Sequence, residues 1–200
     1  LDAELNQNFV YIFPLRVSND VAPVGDGPTP VVRPPWGNGF VAGNVTHFVR
    51  YDPAVTRPFV LYRVNDPPDN LSYSEIGELE VFDEIPIDDP GNDGQIERKR
   101  FRFEIELNDL AATPADAALL ETVQVNFLTM ERLGSGPSDR QWDALGNGAL
   151  PSELKSWVTI SLRSAAVYDN QRFNFLEPQS SDVADPSLDL RNWIVEIRLQ

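Results

Sequence analysis

A chain with one histidine and no cysteine has few routes to covalent chemistry, and the acid-base ones converge on His47. Thiol nucleophiles, disulfide frameworks and cysteine-based zinc sites are excluded by composition, and a serine triad would have to use this one imidazole. His47 lies in Val45-Thr46-His47-Phe48-Val49-Arg50-Tyr51, in phase with Val45, Val49 and Tyr51. That spacing sets it on the apolar side of a strand. No Gly-x-Ser-x-Gly elbow accompanies it, and Gly134-Ser135-Gly136 reads as a flexible turn. A hydrogen-bonded structural histidine is therefore expected rather than a catalytic base. With 31 acidic residues, some pair must fall at the ~5–10 Å separation used in glycoside hydrolysis, so nearness of carboxylates carries no weight. The chain is expected not to be an enzyme.

Binding chemistry has better candidates. Pro34-Pro35-Trp36-Gly37-Asn38-Gly39-Phe40 sets two aromatics about a turn whose glycines permit positive φ and close approach of a ligand. An exposed indole packs on the apolar face of a pyranose, so Trp36, Asn38 and Phe40 are the expected ligand-binding residues, against the alternative that Trp36 plugs one end of the fold. Oxygen-rich loops come next. Asp88, Asp89 and Asp93 cluster in Asp88-Asp89-Pro90-Gly91-Asn92-Asp93-Gly94, and Asp182, Asp185 and Asp189 form a second group. Ca²⁺ is the ion such hard oxygens would hold. The first group departs from the helix-loop-helix calcium pattern, because Gly91 stands at its third ligand position and Arg100 where the closing Glu belongs. Asx turns explain the same residues without a metal. Two sequons, Asn44-Val45-Thr46 and Asn70-Leu71-Ser72, offer glycan acceptors in a compartment that has the transferase, although fourteen asparagines supply as many by chance.

The elements that must hold these residues show a dominant period of two. Arg100 to Leu107 alternates without a fault and predicts a half-buried antiparallel strand with Phe101, Phe103, Ile105 and Leu107 inward. Trp193 to Leu199 repeats the pattern. Phe9-Val10-Tyr11-Ile12-Phe13 is apolar on both faces, which predicts either a central strand or a segment that completes a neighbouring subunit's sheet. Phe9, Tyr11 and Phe13 are then the candidate assembly residues. Further strands are expected at Val45–Tyr51, Phe59–Val64, Leu79–Phe82, Val123–Thr129 and Trp157–Leu162. Helix is expected only at Pro114–Glu121, capped by Thr113, and as one turn at Ser152–Lys155. Arg98-Lys99-Arg100-x-Arg102 reads as a solvated strand face that charges a sheet edge. The expected fold is all-β, a jelly-roll-like antiparallel β-sandwich in one domain spanning residues 1–200, with long Pro- and Gly-rich loops.

A formal charge of −15 repels phosphate backbones and anionic lipid, so nucleic acid is not an expected partner. The longest mostly apolar stretch, Phe9 to Leu15, is too short to span a bilayer. Acidity with two lysines against fourteen arginines, and a start at Leu1 with no basic leader, predict a mature exported protein at the cell surface or beyond it. Thr46-His47-Phe48-Val49-Arg50-Tyr51, Phe103-Glu104-Ile105-Glu106-Leu107, Val125-Asn126-Phe127-Leu128-Thr129, Trp142-Asp143-Ala144-Leu145-Gly146 and Leu188-Asp189-Leu190-Arg191-Asn192-Trp193 together resemble secreted bacterial proteins of unknown function. Their layout is similar to that of family-9 carbohydrate-binding modules and DOMON-type domains. The resemblance implies export, a sandwich and a non-catalytic role, and it carries over no site residue. The expected function is an exported structural or interaction module, self-assembling by strand addition into a filament or surface layer. The alternative is a carbohydrate-binding module with structural Ca²⁺.

Overall fold

The computed structural model describes residues 2–4, 6–56, 59–80, 85–86, 98–100, 102–132, 140–146, 155–173, 183, 185–190 and 192–199. Among them the strands are β1 (Asp2–Glu4), β2 (Phe9–Ser18), β3 (Pro28–Pro30), β4 (Val41–Gly43), β5 (His47–Tyr51), β6 (Phe59–Val64), β7 (Tyr73–Glu78), β8 (Ile85–Pro86) and β9 (Arg98–Arg100). After a 3-10 turn at Leu107–Leu110 and a one-turn helix α1 (Pro114–Ala117) come β10 (Thr122–Val125), β11 (Leu128–Glu131), β12 (Trp142–Ala144), β13 (Val158–Ser161), β14 (Ala166–Asp169) and β15 (Ile194–Ile197). Every described ladder is antiparallel, and the fold is all-β. No described helix is long and apolar enough to cross a membrane.

The principal sheet has eight strands, and β2 runs through its middle with β5 on one edge and β10 and β11 in succession on the other. Its residues explain that position. Phe9, Tyr11, Phe13 and Leu15 enter one cluster with Val49, Tyr51, Phe59 and Leu61, while Val10 and Ile12 enter the other with Phe48, Val60, Tyr62, Leu128 and Met130. Each side chain so enclosed contributes roughly 1.5–3 kcal/mol, which a half-solvated strand would forgo on one face. Both edges of β2 are already paired. The assembly role expected of Phe9, Tyr11 and Phe13 is thereby corrected, since lending them to a neighbour would dismantle this chain's own sheet.

The strand expected at Val123–Thr129 is divided. Thr122 to Glu131 keeps one register against β2, yet the ladder breaks at Asn126 and Phe127, where Pro14 lies opposite. Asn126 donates its backbone N–H to the Pro14 carbonyl at 3.2 Å, and proline has no N–H to return. Beyond the break the far edge forks, with β13 on β10 and β12 on β11.

One face of the sheet is covered by Leu110, Leu120, Leu188, Leu190 and Trp193, with Phe103, Tyr168, Val195 and Ile197 partly buried against them. The other is covered by Val41, Val45 and Phe40 of the β3–β4 region. A sandwich is a finer statement than this arrangement of one large sheet and small covering hairpins supports. Residues 102–107 form no strand beyond an isolated bridge at Phe103, although exposure still alternates, and Leu107 is exposed. The basic run is corrected as well: β9 lies between β1 and β8 in a three-stranded sheet and is no edge among the described strands. Thr113 caps α1 as expected, accepting the Asp116 N–H at 3.2 Å, and the α-helix ends at Ala117, short of Glu121.

Candidate functional site

The Trp36 loop joins β3 to β4, whose three paired positions Pro28↔Gly43, Thr29↔Ala42 and Pro30↔Val41 set its base. Val31 N–H donates to the Phe40 carbonyl at 3.1 Å, and Gly39 N–H to that of Trp36 at 2.7 Å. The second bond closes a tight turn that needs positive φ at Gly37 (51°) and Gly39 (90°). Asn38 holds the turn from inside. Its Oδ1 accepts the N–H groups of Phe40 and Val41, both at 2.9 Å, and its Nδ2 donates to the Val41 carbonyl at 3.2 Å. Phe40 packs inward on Phe48 and Tyr73, with ring centroids 6.0 and 6.1 Å away. Of the three expected ligand-binding residues, Asn38 and Phe40 are engaged with the fold. Trp36 remains half-buried beside exposed Arg33, Pro34, Pro35 and Gly37.

Beneath the indole sits a buried cation that sequence reasoning missed. Arg140 Nη1 donates to the Gly39 carbonyl at 2.5 Å and the Val31 carbonyl at 3.3 Å, and Nη2 donates to the Glu131 carbonyl at 2.5 Å. Its guanidinium lies 5.8 Å from the Trp36 ring centroid, and its backbone N–H donates to the Val32 carbonyl at 3.2 Å. Burial lowers its pKa to about 10, which leaves it charged at neutral pH. No local pattern marks Arg140, because its partners are distant in sequence. Such an arrangement fixes the Trp36 turn to β11 and gives the indole a rigid backing, which is how a stacking platform is held.

The acidic candidates divide by location. Asp88, Asp89, Asp93 and Asp182 lie outside the described residues. Asp185 makes an Asx turn, its Oδ1 accepting Ser187 N–H at 2.9 Å and its carbonyl accepting Leu188 N–H at 3.0 Å. Asp189 is buried among Leu188 and Leu190. Among the described residues no three His, Cys, Asp or Glu side chains are grouped to hold a metal. The sequon asparagines are also engaged. Asn44 Nδ2 donates to the Asp26 carbonyl at 2.6 Å, while Asn70 is buried with Nδ2 donating to Gly43 and Pro68 carbonyls at 2.6 and 2.7 Å. Attachment at Asn70 would need that loop to open.

His47 is buried on the face it shares with Val49 and Tyr51, whereas Val45 packs on the opposite cluster. Its Nδ1 lies 3.0 Å from Thr46 Oγ1, and Arg63 Nε donates to its Nε2 at 3.4 Å. With Nε2 accepting, the proton belongs on Nδ1. Arg63 Nη2 also donates to the Ala111 carbonyl at 3.0 Å. Burial first, then the Arg63 charge, lowers the His47 pKa from 6.5 to about 4. The unfolded chain takes up this proton before the folded one does, so the stability is complete above pH 6.5 and is lost as pH falls toward 4. The chain is expected to be about 2 kcal/mol less stable at pH 5 than at pH 7.5 from this group. Urea titrations across that range check it, since His47→Gln should flatten the slope between pH 6.5 and 4.5; an identical slope in the variant removes His47 as its source.

A second clamp missed by sequence joins Asp52 and Arg132. Arg132 Nη1 donates to Asp52 Oδ2 at 2.6 Å and Nη2 to Oδ1, while Nε donates to the Gln7 carbonyl at 3.0 Å. The Arg132 hydrogen bond holds the nearly buried Asp52 carboxyl below its usual range. This fork ties the start of β2 to the ends of β5 and β11. No family model, curated protein or solved structure matches the chain.

Proposed function

We propose that this chain is a non-catalytic interaction module, exported from the cell, that engages glycan through the Trp36 loop. The observation that supports this reading is a half-buried indole on a turn held rigid by Asn38 from within and Arg140 from beneath. Preorganisation matters because a sugar-aromatic contact is weak and affinity is lost if the loop must be ordered on binding. Polymerisation by strand addition is the lesser reading. With β2 paired on both sides, it would have to use another edge such as β7, which carries exposed Ser74 and Glu78 and a bulge at Ile76. Charges and bulges blunt edge pairing. A structural Ca²⁺ on Asp88, Asp89 and Asp93 is carried by composition alone.

A glycan array followed by affinity electrophoresis tests the reading. Trp36→Ala is expected to weaken retention at least tenfold while the urea midpoint shows the variant still folded. Undiminished retention in that variant, or no glycan retained by the parent, removes it.

A further inference from the structure

Some arginines of this chain meet carboxylates, and others, among them Arg16, Arg50 and Arg63, donate to neutral groups. Arg102, Arg132, Arg163 and Arg198 each meet a carboxylate. Arg33, exposed three residues before Trp36, makes no hydrogen bond or ion pair among the described residues. Arg140, below the indole, spends its described hydrogen bonds on three carbonyls and the Met130 sulfur, with none to a carboxylate and none from Nε. Arg33 thus stands without an ion pair among the described residues, and Arg140, on which the Glu131 charge acts, donates to no carboxylate, on a chain that carries 31 acids and a net charge of −15.

We propose that the Trp36 loop takes an acidic glycan, a uronate-bearing one, with Arg33 meeting the carboxylate while the indole stacks on the sugar ring. The proposal rests on the glycan reading above and names its ligand class. A uronic acid offers both an apolar ring face and a planar carboxylate, and a guanidinium fork matches the latter in a bidentate pair. The buried Arg140 cation adds to the pull, because charge in a poorly solvated site is weakly screened, whereas solvent-exposed charges act over only about 8 Å at 0.15 M salt. Charge remote from the loop is therefore screened there, and the groups near it decide: Arg33, and Arg140 with Glu131 beside it. Arg140 acts on the indole from behind, and Arg33 is the group free to bind.

Calorimetric titration at 0.15 M salt with tri-galacturonate, its fully methyl-esterified neutral form, a sulfated galactan oligomer and a glutamate oligomer of matching charge tests this. Tri-galacturonate is expected to bind at least tenfold tighter than its neutral ester, with the sulfated oligomer weaker. Arg33→Gln should erase that preference without moving the urea midpoint, and Arg33→Lys should restore it in part. Equal binding of acid and ester, undisturbed by Arg33→Gln, overturns the acidic-ligand proposal and leaves the glycan reading standing. Equal binding of the glutamate oligomer or the sulfated oligomer overturns it too, the first because charge without a sugar suffices and the second because the anion is not a carboxylate. Binding that survives Trp36→Ala, or binding to no glycan at all, overturns both readings.

Discussion

Asn126→Ala is expected to lower the unfolding free energy by roughly 4 kcal/mol. The side chain is fully buried at the fork where β10 and β11 part, and it fills its hydrogen-bonding capacity there. Nδ2 donates to the Pro28 and Ser156 carbonyls, both at 2.9 Å. Oδ1 accepts the N–H groups of Phe127 at 2.8 Å and Leu145 at 3.2 Å. Alanine would leave all four backbone groups without this partner, at about 1–3 kcal/mol for each that water cannot reach, and water entering the gap offsets part of the sum. For a chain of this length the loss corresponds to a melting point lower by roughly 8–16 °C. Urea denaturation of parent and variant checks it, and a difference under about 1 kcal/mol would show the fork is held by something else. Asn126→Asp should be no better than alanine, because it sets a carboxylate oxygen against the two carbonyls that Nδ2 now serves.

What could be read from sequence follows from where each element gets its specification. Phe59–Val64 is aromatic or branched at every position but Arg63, and β6 takes those limits. Such a strand is written in its own residues. The edge strand Tyr73–Glu78 is not, since most of its positions face water and its extension is decided by pairing with β6; the strand expected at Leu79–Phe82 lies past its end, where Leu79 and Glu80 are not strand. Alternation across residues 102–106 reports burial on one side, which an extended covering segment satisfies as well as a ladder does. Phe103 meets the Phe13 ring at 4.9 Å while its flanking residues stay exposed.

The candidate site divides in the same way. Its turn is local chemistry, and Gly37, Asn38 and Gly39 announce it because only such residues take those dihedrals and return those hydrogen bonds. What lies beneath is not local. Arg140 reaches Gly39 across 101 positions, and only the placement of β11 and β12 brings it there. An isolated arginine near a charged, glycine-containing stretch otherwise reads as solvated surface. The same distance hides Asn126, whose amide is unfavourable in a strand until four segments converge on it. Residues that answer to long-range partners are the ones a pattern of two or of turn types cannot name.

Gly43→Ala is expected to cost about 3 kcal/mol, although it adds one methyl group at a partly exposed position. Gly43 closes β4 with φ at 75°, a conformation that costs an alanine about 1–2 kcal/mol. The added Cβ would stand 2.2 Å from the Gly27 carbonyl oxygen and 3.3 Å from Thr29 Oγ1. A carbonyl in a paired hairpin cannot swing away as a flexible side chain would, so β3 must shift against β4. That shift reaches beyond the hairpin, because the Gly43 carbonyl accepts Asn70 Nδ2 at 2.6 Å and thereby anchors the loop between β6 and β7. Gly77 provides the contrast. No atom lies within 4 Å of its ideal Cβ, so Gly77→Ala should stay within about 0.5 kcal/mol of the parent or gain slightly by restricting the unfolded chain. Thermal and urea melts of both variants separate the two cases. If Gly43→Ala matched Gly77→Ala, the hairpin would have to be looser than its hydrogen bonds imply, and the rigid mounting of Trp36 would lose its foundation.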